Sequence, residues 1–203
     1  MITGSEQESR ELMMNAAIRI VVKYGFEGFT TKKWASEAGV AEGSLYYHFK
    51  SKADLLDQTF FMIEKEIGAT AEKGEYPIGN KDELVVYMQN AWKEYFHYFI
   101  ENSEKTIFYY RFKNSSFYTK EIQDAQTGFA KKFKSGIEFL QQTDFLTAQL
   151  DPMVRRSYVD DATVSIAYRA SVGGIRSSDE TEEQLIRLMM HGIAGFVKST
   201  QIL

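Results

Sequence analysis

The chain has 203 residues, 44% of them apolar and 26% charged, with a formal net charge of −4. That balance fits a water-soluble protein with a substantial core. The absence of cysteine excludes disulfides, thiolate metal sites and thiol nucleophiles. No apolar run reaches the ~18 residues of a membrane helix. Glu6, Glu8, Arg10 and Glu11 stand where a secretory signal needs an apolar core, so a cytoplasmic location without membrane contact is expected. Two prolines, Pro77 and Pro152, leave long stretches free of helix breakers and predict a mostly helical protein.

The first predicted helix places Leu12, Met13, Ala16, Ala17, Ile20, Val21 and Tyr24 on one face, and Gly25 ends it. Short helices follow over residues 30–49. Ser51 opens the next helix with Asp54 at capping-box spacing, and Leu56, Phe60, Ile63 and Ile67 form its stripe. Gly74, Pro77 and Gly79 make Lys73–Asn80 a boundary. Beyond it, residues 81–100 predict a buried helix, apolar nearly all round. Val85, Met88, Trp92, Tyr95, Phe96 and Phe99 form one stripe; Leu84, Tyr87, Ala91 and Tyr98 form another. A shorter helix is predicted around Ile107–Phe112, then a longer one with Ile122, Ala125, Phe129, Phe133, Ile137 and Leu140. Asp151-Pro152 starts the next. The last begins in the acidic stretch Asp179–Glu183, with a stripe of Leu185, Leu188, Met189, Gly192, Ile193 and Phe196.

The stretch from Phe29 to Leu56 carries the chemistry. Thr30 is the expected N-cap, flanked by Phe29 and Trp34 as a hydrophobic staple. The helix it opens runs to Ala38 and buries Trp34, Ala35 and Ala38; Gly39 turns the chain, and Val40 returns to the core. A second helix, Glu42 to about Phe49, keeps Leu45 and Phe49 inward. This pattern predicts a helix-turn-helix, whose second helix can enter the major groove of DNA. Its outward residues are Glu42, Gly43, Ser44, Tyr47 and His48, with Tyr46 at the margin. Gly43 permits close backbone approach, and the hydroxyls of Ser44, Tyr46 and Tyr47 suit phosphate oxygens. Thr31, Lys32 and Lys33 are expected to grip the DNA backbone from the other side of the turn, and Lys52 adds charge at the start of the following helix. Phe29–Lys52 carries four lysines against two glutamates, a small basic island in an acidic chain. Glu42 can accept from a cytosine amino group or repel phosphate.

The motif GSLYYHFKSKADLL, preceded by TTKKWASEAGV, closely resembles the amino-terminal domain of the TetR/AcrR family of bacterial transcriptional regulators, over about Leu12–Phe61. The resemblance implies an all-α chain with a three-helix DNA-binding domain over residues 1–52. A helical effector and dimerisation domain then covers 53–203, and a helix over 51–73 connects the two. It implies contacts to double-stranded operator DNA through Thr31, Lys32, Gly43, Ser44, Tyr46, Tyr47, His48 and Lys52. It further implies a homodimer joined by the last two long helices, and a small effector.

Twelve aromatics lie between Tyr87 and Tyr118. Tyrosine joins an apolar body to a polar tip, which suits a partly apolar pocket. Trp92, Tyr95, Phe99, Tyr110, Phe129 and Phe133 are the residues expected to touch a small apolar or aromatic effector. Packed core is the competing reading for each. His97 and His191 are isolated in sequence, Glu64 and Glu66 are expected to be solvated, and no nucleophile elbow, phosphate loop or HExxH is present. No metal, cofactor or enzymatic activity is expected. The resulting reading is a ligand-responsive repressor that binds a near-palindromic operator as a homodimer. The alternatives are a helix-turn-helix regulator controlled by a protein partner, and a small-molecule-binding protein without DNA function.

Overall fold

The computed structural model describes residues 4–71, 81–125 and 151–194. Among them are nine helices and no strand: α1 Gly4–Tyr24, α2 Thr31–Ala38, α3 Glu42–His48, α4 Lys52–Ala71, α5 Lys81–Glu101, α6 Ser103–Lys113, α7 Lys120–Ala125, α8 Pro152–Ser171 and α9 Asp179–Ala194. The chain forms two compact units. Among the described residues, one comprises 4–64 and 104–125, the other 65–71, 81–103 and 151–194. The expected boundary Lys73–Asn80 lies outside the described residues, as do Phe129, Phe133, Ile137, Leu140 and Phe196.

In the first unit, α1 packs on α2 and α2 on α3. Met13, Ala16, Ala17, Ile20 and Val21 are buried on α1 as their spacing predicts. Leu12 and Tyr24 depart from that face and are exposed, while Met14 and Ile18 are buried instead. At ~100° per residue the buried arc runs from Ala16 round to Ile18, and Leu12 lies beyond its Ala16 edge. Tyr24 ends the helix, and its ring lies near the ammonium groups of Lys33 and Lys23, 4.2 and 5.1 Å from its centroid. Gly25 leaves the helix at φ 68°. On α4, Leu55, Leu56, Thr59, Phe60 and Ile63 are buried. Phe60 stacks on Tyr109 and Phe112 of α6, with ring centroids 5.0 and 4.7 Å apart. Aromatic pairs of this kind add about 0.5–1.5 kcal/mol beyond their buried area.

Two glutamates expected in solvent are structural. Glu64 is buried and accepts a hydrogen bond from the Tyr109 hydroxyl. Glu66 accepts from Tyr98 at 2.7 Å. Their tyrosine partners lie 45 and 32 residues downstream, where local periodicity carries no information.

The second unit packs α5 against α8 and α9, and α8 against α9. Trp92, Tyr95, Phe96, Tyr98 and Phe99 are buried on α5. On α9, Leu185, Ile186, Met189 and Met190 are buried, whereas Leu188, expected in the same stripe, is 60% exposed. The buried arc runs through i, i+1, i+4 and i+5, which leaves Leu188 on its flank. No described helix is long and apolar enough to cross a membrane.

Candidate DNA-reading surface

Local chemistry builds the helix-turn-helix. Thr30 is extended (φ −118°, ψ 152°) and its side chain accepts the Lys33 N–H at 3.3 Å, capping α2. Phe29 and Trp34 meet with ring centroids 6.1 Å apart, closing the staple. The Trp34 indole donates to the Met13 carbonyl at 2.9 Å, which ties α2 to α1. Ala35 is buried beside Trp34, while Ala38 and Val40, expected in the core, are only half-buried. Both flank the turn, where the chain leaves one helix before entering the next. Gly39 adopts φ 70°, and its N–H and that of Val40 return to carbonyls of α2. Leu45 and Phe49 are buried, fixing which face of α3 points inward.

The opposite face is open. Tyr46 is 62% and Tyr47 77% exposed, and Glu42, Gly43 and Ser44 are exposed beside them. A Cβ added to Gly43 would meet nothing within 4 Å. His48 is half-buried, with its Nδ1 enclosed and lacking a hydrogen-bond partner, and the Tyr47 ring stands edge-on to it at 5.0 Å. On α2, Thr31 is half-buried and Lys32 exposed. Lys33 is exposed too, but its ammonium donates to the Gly28 carbonyl at 3.1 Å.

Lys52 is the most constrained of the predicted cations. Its ammonium donates to the carbonyls of Phe26 and Phe29 at 2.7 and 3.3 Å, and lies 5.0 Å from the Phe29 ring centroid. Burial holds its pKa below the ordinary lysine value. It forms part of the wall of an open cleft of about 490 Å³ with Tyr24, Phe26 and Phe117. Residue spacing carries no sign of these carbonyl partners, which lie 26 and 23 positions away.

The capping box at Ser51 is displaced by one residue. Ser51 Oγ accepts the Asp54 N–H at 3.1 Å, but the Asp54 carboxylate reaches back to the Lys50 N–H at 2.8 Å. Both interactions supply partners around the start of α4.

The residues expected to touch an effector separate between the units. Trp92, Tyr95 and Phe99 belong to the second and are buried; Tyr110 belongs to the first and is half-buried. The Trp92 indole donates to Thr163 at 2.8 Å, and the Tyr95 hydroxyl donates to Asp160. His97 is not isolated in space: its Nε2 lies 2.5 Å from Glu182, which also receives Lys93 at 3.7 Å. Among the described residues, no group of three or more His, Cys, Asp or Glu is placed to hold a metal ion.

The family described as bacterial regulatory proteins, tetR family, matches residues 13–59. The match spans most of α1, the helix-turn-helix and the first turns of α4. Over that stretch the chain is similar to the amino-terminal domain of the TetR family. It is 34% identical over 62 residues to the HTH-type transcriptional regulator AcrR of Shigella flexneri, covering 30% of this chain and 29% of that protein. It is 42% identical over 48 residues to the class C tetracycline repressor protein of Escherichia coli, covering 24% and 22%. The matched stretches thus span less than a third of these curated relatives. The fold likeness extends further: a TetR-family transcription regulator from Marinobacter aquaeolei VT8 superimposes with a TM-score of 0.78 over 93% of this chain and 96% of its own, at 20% identity.

Proposed function

We propose that the chain is a transcriptional repressor that binds a near-palindromic operator as a homodimer and releases it when a small, largely apolar effector binds. The observation that carries this reading is the exposed face of α3. Tyr46 and Tyr47 project from a helix whose other side is buried at Leu45 and Phe49, and Gly43 keeps the space beside them clear. A solvated helix face more often carries Glu, Lys and Gln than paired tyrosines.

In this reading Thr31, Lys32, Lys33, Ser44, Tyr46, Tyr47 and Lys52 hold phosphates, while Glu42, Gly43 and His48 approach the bases. One chain supplies one recognition helix, so two half-sites about 34–36 Å apart require two chains. Exposed apolar side chains on the last two helices, Val154, Tyr158 and Leu188, support pairing there. For the effector we favour the aromatic part of α5, around Trp92, Tyr95 and Phe99. Effector binding then shifts the population toward a dimer whose helices no longer match successive grooves.

The test is selection of duplexes from a randomised pool, followed by titration at several salt concentrations. A palindromic consensus with steep salt dependence supports the reading; equal binding to all sequences, or none, rejects it. Addition of lipophilic compounds to the selected complex then separates effector control from partner control.

A further inference from the structure

Arg10, on α1, reaches the far end of the recognition helix. Its Nη1 donates to the His48 carbonyl at 2.6 Å, and its Nη2 donates to Gln58 Oε1 on α4. The guanidinium carbon lies 4.7 Å from the centroid of the Phe49 ring. Gln58 in turn donates to Asp54 at 2.7 Å, and Asp54 accepts the Lys50 N–H at 2.8 Å. One chain of hydrogen bonds therefore runs from α1 through α4 and into the turn that ends α3.

The helix needs such a clamp. It has seven residues, far below the ~12–15 at which an isolated helix becomes even marginally stable. Its N-cap residue, Ala41, makes no side-chain capping bond. Leu45 and Phe49 are buried and set its inward face, and a hydrogen bond to its last carbonyl adds a directional constraint that apolar packing does not supply. A planar, forked cation on the C-terminal carbonyl satisfies an orphan acceptor, complements the helix dipole, and fixes direction as well as distance.

We propose that Arg10 is a positioning residue for sequence readout: it fixes the orientation of α3, and so of Tyr46 and Tyr47, without itself being a principal phosphate contact. This rests on the DNA-binding reading above. The probes are the duplex that wild-type protein selects from a random pool and a scrambled duplex of equal length, titrated against Arg10→Met and Arg10→Lys across a range of salt. Neither replacement fills both acceptors in one plane. Both should reduce the ratio of selected to scrambled affinity by about tenfold, leaving scrambled binding and its salt slope unchanged. Amide exchange at Phe49 and Lys50 should accelerate in both variants, while the buried centres of α1 and α4 hold their protection.

A salt slope lower by about 1 in Arg10→Met and restored in Arg10→Lys makes Arg10 a phosphate contact and overturns the proposal. So does an unchanged affinity ratio. If the wild type shows no selective binding, the DNA-binding reading fails. The exchange measurement still decides the clamp, because unchanged protection at Phe49 and Lys50 in Arg10→Met rejects it without reference to DNA.

Discussion

The hydroxyls of Thr31 and Tyr46 lie 3.4 Å apart, joining the first turn of α2 to the outward face of α3. At that separation they hold one another weakly, and one phosphate oxygen can accept from both. Thr31→Val and Tyr46→Phe should each weaken operator binding by about 0.5–1.5 kcal/mol. The double variant should lose less than the sum, since the two share a partner. Neither removes a charge, so the salt slope should hold. Strict additivity in the four-way comparison would show that the hydroxyls act separately.

Gly43 separates folding from reading. No neighbour blocks a Cβ there, and alanine is favoured over glycine in a helix by up to about 1 kcal/mol. Gly43→Ala should therefore leave the melting temperature unchanged or raised, yet weaken binding to the selected duplex about tenfold, ~1.4 kcal/mol. Wild-type affinity in Gly43→Ala would mean that the backbone does not approach the groove closely.

Lys52 serves the fold through two backbone carbonyls. An ammonium has three donors, and two of them are accounted for by the Phe26 and Phe29 carbonyls. Lys52→Met keeps most of the stem and removes the charge. Unfolding by denaturant should show a loss of about 1.5–3 kcal/mol, the scale for hydrogen bonds to a charged group. If the third donor meets phosphate, the salt slope of DNA binding should also fall by about 1. A stability loss with an unaltered slope would confine Lys52 to the fold.

What was legible in the sequence was what short-range chemistry determines. Thr30 caps, Gly39 turns, and Leu45 and Phe49 point inward because each depends on neighbours within four or five positions. The contacts that spacing does not reveal are made between segments distant in the chain. Glu64 looks like a solvated glutamate until Tyr109 is brought to it, and His97 looks solitary until Glu182 arrives from 85 residues away. Leu12 and Leu188 show the same limit from the apolar side. Periodicity identifies an apolar stripe, but which edge of it stays exposed depends on where the neighbouring helices lie. Phosphate and effector contacts differ in kind, because surface chemistry names a suitable partner that the chain's own residues do not supply.

Asp57 offers a pH test. Burial, reinforced by Asp54, raises its pKa above the ordinary value of 3.8. The folded state thus holds this proton more tightly than the unfolded chain. Its contribution is full below 3.8 and is lost as pH rises through the raised folded value. Asp57→Asn should therefore gain stability relative to wild type at neutral pH, with the advantage shrinking as the pH falls toward 3.8. Thermal melts across that range check the direction; a gain that is independent of pH would assign it to something other than titration.

The proposed dimer is best tested at Leu188. Its side chain is largely exposed within the single chain, and substitutions at such positions usually change monomer stability by no more than about 0.5 kcal/mol. In a two-fold interface the same residue occurs twice, and each buried copy of an aspartate needs a partner. Leu188→Asp should therefore shift sedimentation equilibrium from dimer to monomer while circular dichroism stays helical. Met189 is the internal control. It is buried within the single chain, so Met189→Asp should unfold the second unit whatever the oligomeric state. Loss of the dimer should also lower affinity for a two-half-site duplex far more than for one half-site, because the second contact ceases to be intramolecular. A folded Leu188→Asp protein that remains dimeric would remove Leu188 from the interface.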